Sequence, residues 1–138
     1  EPDVLGFADS VGLAVPSQIK RTFSLIKEIA PSIPLRTHLH NTRNTGLANA
    51  AAAVEAGVSI IDASTGGIGG CPFAPRATGN IPTDDLLYML DRSGVETGVD
   101  LREVVKTTDW LEEQLGRAVP AMVPKAGIFP ENAEINMQ

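Results

Sequence analysis

The sequence predicts a parallel α/β architecture on three observations. Residues 4–8, 34–40 and 58–63 read as three strands, the first of them a short apolar run of the buried kind. Helical periodicity fills the two intervals between them. The connections are short, so the order strand–helix–strand–helix–strand reads as a right-handed parallel array with both faces of its sheet buried.

The elements follow in order. Val4-Leu5-Gly6-Phe7-Ala8 is a short apolar strand that ends at Asp9. Gly12 and Pro16 punctuate the next loop, and Pro16 fits the first turn of a helix, where a missing N–H does no harm. Ile19, Phe23, Ile26 and Ile29 then recur at three- and four-residue steps and define one apolar helix face. Pro31 and Pro34 stop that helix before the second strand. Residues 45–56, rich in alanine, form a second helix that Gly57 ends. The third strand is followed by a long loop, residues 64–82, with five glycines and three prolines. Loops of that length inside a compact domain are usually functional. Thr83 is expected to cap a helix to about Arg92, with Asp84 and Asp85 as helix-start charges. Asp100 and Glu103 suggest a capping box for a helix that Gly116 ends. Trp110 falls at helical spacing from Val104 and Leu111 and is expected to pack. The chain is expected to divide into a folded region, residues 1–117, and an irregular tail, 118–138.

Composition narrows the function. Of 138 residues, 43% are hydrophobic and 20% charged, as in a globular protein. The net charge of −6, with no basic run, argues against nucleic-acid binding, which relies on neutralising phosphates. It argues equally against a membrane-surface helix, and no apolar run has the length to span a bilayer. Glu1-Pro2-Asp3 has no positive n-region, so no signal peptide is expected. One cysteine excludes an internal disulfide and suits a reducing, cytoplasmic compartment. The absence of Met at position 1 suggests part of a longer chain.

The scarce reactive side chains are clustered. The only two histidines, His38 and His40, lie one residue apart at the end of the second strand. Strand alternation points both to one face, where two imidazoles can reach one cation. A pair of half-buried surface histidines would give the same pattern. A metal needs further ligands, and Asp9, Asp62 and Asn80 are candidates. Two imidazoles with oxygen donors suit Mg²⁺, Mn²⁺ or a similar ion, whereas a structural zinc would want more thiolate. Cys71 follows Gly66-Gly67-Ile68-Gly69-Gly70, a run that allows unusual backbone angles and a movable thiol. The thiol is either a small buried hydrophobe or an acid/base group. Arg43 and Arg76 are candidates for a substrate phosphate or carboxylate, or else simple surface cations.

Several segments carry a resemblance. His38-Leu39-His40-Asn41-Thr42, Gly46-Leu47-Ala48-Asn49, Gly66-Gly67-Ile68-Gly69-Gly70-Cys71-Pro72-Phe73-Ala74 and Ala77-Thr78-Gly79-Asn80 closely resemble the 3-hydroxy-3-methylglutaryl-CoA lyase family. Asp9-Ser10-Val11-Gly12 resembles that family's Asp-Thr-x-Gly turn, and the likeness runs from residue 4 to about 115. It implies a partial (β/α)8 TIM barrel: strands six to eight with their helices, the C-terminal half of a fold that takes about 250 residues. It implies that His38, His40 and Asn80 bind Mg²⁺ or Mn²⁺, that Cys71 is an acid/base catalyst and that His38 takes part in proton transfer. Asp9 and Arg43 become candidate substrate-binding residues. The fourth metal ligand and a catalytic Arg belong to a first strand that this sequence does not contain. The implied activity is retro-Claisen cleavage of a hydroxymethylglutaryl-CoA-like acyl-CoA to acetyl-CoA and acetoacetate, as in leucine degradation, by a homo-oligomer. The chain alone is expected to be inactive without the N-terminal half of the barrel. Asn41, Ser10 and Arg43-Asn44-Thr45 depart from the family pattern near the acyl site, which leaves room for a longer branched or a citramalyl substrate. Condensing synthases of the isopropylmalate or homocitrate type share His-x-His but carry a Gly-Glu-Arg-x-Gly-Asn loop, so Cys71 argues against them. A non-catalytic assembly unit is the remaining alternative.

Overall fold

The computed structural model of the chain describes residues 2–71, 74, 76 and 78–129. Strand β1 (Leu5–Asp9), helix α1 (Pro16–Ile29), β2 (Leu35–Leu39), α2 (Gly46–Glu55) and β3 (Ile60–Asp62) follow in the expected order. The strands form one parallel sheet ordered β1-β2-β3. A 3₁₀ turn at Thr65–Gly67 opens the glycine-rich stretch, and α3 (Thr83–Arg92), α4 (Leu101–Leu115) and α5 (Val123–Ala126) come after it.

The core lies on one side of the sheet. Leu35 and Leu39 of β2 meet Ile19 and Phe23 of α1, and Ala50 and Ala53 of α2. The alanines of α2 have no bulk to hold α1 away, which explains why an alanine-rich segment sits at the centre. Burying Ile19 and Phe23 stabilises the fold by roughly 1.5–3 kcal/mol each. Ile29, expected on the same apolar face, is 85% exposed. The helix stops at that residue, so the face ends at Ile26.

The sheet register sorts every strand residue. Gly6 pairs with Arg36 and Ala8 with His38, while Arg36 pairs with Ile60 and His38 with Asp62. Paired residues of a parallel sheet share a face. Leu35, Thr37 and Leu39 therefore point to the helices and are buried, whereas Gly6, Ala8, Arg36 and Ile60 are exposed. The expectation of two covered faces fails among the described residues, because the helical layer packs on the Leu35 side.

The second half departs from expectation in four places. Pro82, not Thr83, is the cap of α3, and Thr83 is its first helical residue without a side-chain capping bond. Asp84 and Asp85 lie in the first turn of α3 as expected, but they do not face solvent: Asp84 is fully buried and Asp85 nearly so. At α4, Asp100 accepts from the Arg102 N–H at 2.8 Å, but Glu103 turns to Lys106, so only half a capping box forms. Trp110 is 57% exposed rather than packed. The described part of the tail is ordered onto the fold. Val119 and Ala121 are buried, and the Ala121 N–H donates to the Gly66 carbonyl at 3.0 Å. No helix among the described residues is long and apolar enough to cross a membrane.

Candidate metal and acid–base site

The site sits where β2 ends. His38 and His40 share a face of the sheet, with ring centroids 4.9 Å apart at an 80° interplanar angle. His40 is buried, and its Nδ1 lies 3.0 Å from the Asp9 main-chain carbonyl. A carbonyl only accepts, so Nδ1 carries a proton, and Nε2 is the nitrogen left for a ligand. This is the usual way a ligating imidazole is oriented. His38 is half-exposed, with Nδ1 3.6 Å from Asp62 Oδ2.

Backbone pairing brings Asn80 to the histidines. Residues 79–82 return along the end of the sheet, where Asn41 N–H donates to the Gly79 carbonyl and Ile81 N–H to the Leu39 carbonyl. His40 and Asn80 thereby form an isolated antiparallel bridge. The Asn80 amide nitrogen donates to the Ile68 carbonyl at 3.0 Å, while its buried Oδ1 has no hydrogen-bond partner. A buried carbonyl oxygen without a donor is costly. A cation removes that cost, so this orphaned oxygen beside His40 fits a divalent ion with mixed imidazole and oxygen donors. No cluster of three or more His, Cys, Asp or Glu suited to a metal occurs among the described residues. The donor set here is two histidines and an amide.

The glycines shape this corner. Gly79 sits at φ +137°, and a Cβ there would meet the Gly67 and Gly69 carbonyl oxygens at 2.7 and 2.9 Å. The loop can fold back onto β2 only with hydrogen at that position. Cys71 is half-buried, and its carbonyl accepts from the Ala74 N–H at 3.0 Å. Pro72, Phe73, Pro75 and Ala77 of the motif lie outside the described residues.

Asp62, Asp9 and Arg43 have separate roles. Asp62 is paired with His38 across β2 and β3 and so lies on the histidine face. Its carboxylate accepts from Arg36 Nε at 2.9 Å on both oxygens, and Arg36 Nη2 stands 2.8 Å from Oδ1. That hydrogen bond and charge raise the Arg36 guanidinium further above its ordinary pKa. Asp9 pairs with Leu39, on the opposite face from the histidine side chains, which removes it as a candidate metal ligand. Its two oxygens accept from the Leu13 and Ala14 N–H groups and fix the β1–α1 loop. Arg43 Nη1 donates to the Val11 and Gly12 carbonyls and ties that loop to the start of α2. The structure thus shows loop-building bonds for both residues expected at the substrate. Arg76 is exposed.

Sequence reasoning missed the supports behind the glycine loop. Asp84 accepts from the Gly66 N–H at 2.8 Å and from Thr108 Oγ1 at 2.5 Å, which joins the loop root to α3 and α4. Asp85 accepts from the Met122 and Val123 N–H groups and so holds the tail. Two adjacent acids before an apolar helix were the available signal.

The chain is similar to known proteins. The HMGL-like family model matches residues 2–111. The chain is 50% identical to the (R)-citramalyl-CoA lyase of Chloroflexus aurantiacus over 90% of its length and 39% of that protein. It is 36% identical to the hydroxymethylglutaryl-CoA lyase YngG of Bacillus subtilis, over 85% of this chain and 39% of the relative. An HMG-CoA lyase from Acinetobacter baumannii, solved with coenzyme A and 3-methylmalate, superposes with a TM-score of 0.86 at 41% identity, covering 94% of this chain and 43% of that one. The chain spans about two fifths of the length of the relatives it matches.

Proposed function

Since the chain belongs to the HMGL-like family, we propose that it supplies the metal-ligating and thiol-bearing part of an acyl-CoA carbon–carbon lyase. In this reading β1, β2 and β3 are strands six to eight of a (β/α)8 barrel. The protein works in a reducing, cytoplasmic compartment and assembles as a homo-oligomer. The observation that carries the proposal is the partnerless buried Oδ1 of Asn80, a residue whose backbone bridges to His40. His38, His40 and Asn80 would hold Mg²⁺ or Mn²⁺, with further ligands from outside these residues. When bound, that ion supplies Lewis acidity to the substrate's tertiary hydroxyl and carboxylate.

The chain's own groups do the rest. His40 is locked through Nδ1 by the Asp9 carbonyl, which leaves Nε2 as the nitrogen available for ligation. His38, on the same face and half-exposed, takes the proton from the tertiary hydroxyl. The C2–C3 bond of the acyl-CoA then breaks. The hydroxyl carbon becomes a ketone, and the bonding electrons leave as the acyl-CoA enolate. Cys71 gives its thiol proton to that enolate carbon, and the proton held on the histidine restores the thiol. From hydroxymethylglutaryl-CoA the products are acetyl-CoA and acetoacetate.

A second substrate is favoured by one observation, the 50% identity to a citramalyl-CoA lyase. The same steps on citramalyl-CoA yield acetyl-CoA and pyruvate. Incubating the intact protein and Mg²⁺ with each thioester separately, and assaying acetoacetate and pyruvate, decides between them. Condensation of acetyl-CoA with a keto acid, and no cleavage of either thioester, would overturn the lyase reading.

A further inference from the structure

The two histidines are held in different ways. His40 is buried and its ring is fixed by a main-chain carbonyl. His38 has a side chain 40% exposed, and its acidic neighbour is Asp62, 3.6 Å from Nδ1. Asp62 comes from the adjacent strand in direct register with His38. Arg36, two residues before His38 on the same face, grips that carboxylate by Nε on both oxygens. Strand alternation makes this a consequence of sequence: positions 36 and 38 of β2 both face position 62 of β3.

We propose that Asp62, clamped by Arg36, is the positioning residue of His38, holding the Nδ1 side of its ring so that Nε2 faces the site. A free imidazole side chain chooses between two tautomers and turns about its own axis. A carboxylate beside Nδ1 selects the Nδ1–H form, because an anion accepts and cannot donate. At 3.6 Å the pair is an ion-pair contact rather than a closed hydrogen bond. A slight rotation of the exposed ring closes it, and ligation at Nε2 makes Nδ1–H a stronger donor. Arg36 contributes rigidity: a bidentate guanidinium fixes the carboxylate plane. The asymmetry suits two jobs: His40 is a fixed ligand, and the half-exposed His38 offers one nitrogen, Nε2, to the ion or to a proton, one at a time.

The consequence for metal affinity rests on the proposed lyase site, whereas the tautomer itself does not. The experiment therefore has two readouts on the intact protein with ¹⁵N-labelled histidine. Long-range ¹H–¹⁵N correlation without metal reports the His38 tautomer, and calorimetric titration with Mn²⁺ reports affinity. The wild type is expected to hold His38 as Nδ1–H. Asp62→Ala is expected to move it to mainly Nε2–H and to weaken Mn²⁺ binding about 10–100-fold, the usual effect of losing a group that orients a ligand. Asp62→Asn, which keeps the side-chain shape, is expected to shift both readouts in the same direction by less, and decides the matter if the alanine variant does not fold. An unchanged tautomer in the variant that folds overturns the assignment, whatever the affinity does. A wild type with the Nδ1–H tautomer and no Mn²⁺ binding sinks the metal reading and leaves the positioning of His38 standing.

Discussion

Replacing Asp84 by alanine tests how the glycine loop is rooted. In the native fold this fully buried carboxylate accepts from the Gly66 N–H and the Thr108 hydroxyl. Asp84→Ala strands both donors without water. A stranded buried donor costs about 1–3 kcal/mol. The Thr108 hydroxyl can rotate toward another acceptor, but the Gly66 N–H is fixed by a backbone at φ +67°. The loss is therefore set near 3 kcal/mol. With a urea dependence of about 2 kcal/mol/M, the unfolding midpoint should fall by about 1.5 M. Asp84→Asn is the control. Its amide oxygen still accepts from Gly66 and its NH₂ donates to the turned Thr108 hydroxyl, so the fall should be about 0.5 M or less. Urea titration of the intact protein, followed by circular dichroism, reads both. Equal midpoints for the two variants would refute the argument, since they differ in hydrogen bonding far more than in burial.

Other expectations follow from the same geometry. Cys71→Ser should lower kcat about 10²–10⁴-fold, as for loss of a proton donor, while calorimetry shows Mn²⁺ affinity unchanged. Asn80→Ala should weaken Mn²⁺ binding by about tenfold or more in a calorimetric titration, because it removes the buried oxygen that has no protein donor. Gly79→Ala should cost about 1–3 kcal/mol in denaturant unfolding, since its Cβ strikes two carbonyl oxygens and its φ is closed to alanine. The 138-residue chain by itself should sediment as a mixture of oligomers. Among the described residues β1 and β3 are open edges bearing Phe7 and Ile60, 40% and 37% exposed.

Much of this site was legible in the sequence because strand geometry is strictly periodic. Two histidines one residue apart in an apolar run must share a face, and they do. Asp9 shows where that reasoning stops. Alternation along one strand says nothing about a neighbouring strand until register is known, and register placed Asp9 beside Leu39 rather than His38. Trp110 shows a related gap. Helical spacing tells which residues share a stripe, not whether anything covers it. Asp84 and Asp85 were legible as acids of a helix start, where they complement its dipole, but their hydrogen-bond partners were not. Their actual partners lie at Gly66, Thr108, Met122 and Val123, as far as 38 residues away along the chain. Asn80 was found by its motif, and its physical reason, an oxygen left without a donor, needed the folded chain.

The return strand at residues 79–82 is bonded on both sides. Ile81 N–H reaches the Leu39 carbonyl, Ser64 N–H reaches the Ile81 carbonyl, and Thr83 N–H reaches the Ser64 carbonyl. This short ladder works as a brace between the ends of β2 and β3. The spacing of His40 and Asn80 is thus set by main-chain pairing and not by the course of the chain around Cys71. In the proposed lyase, a displacement of Cys71 would leave His40 and Asn80 in register, so that opening the site and keeping an ion would be independent events.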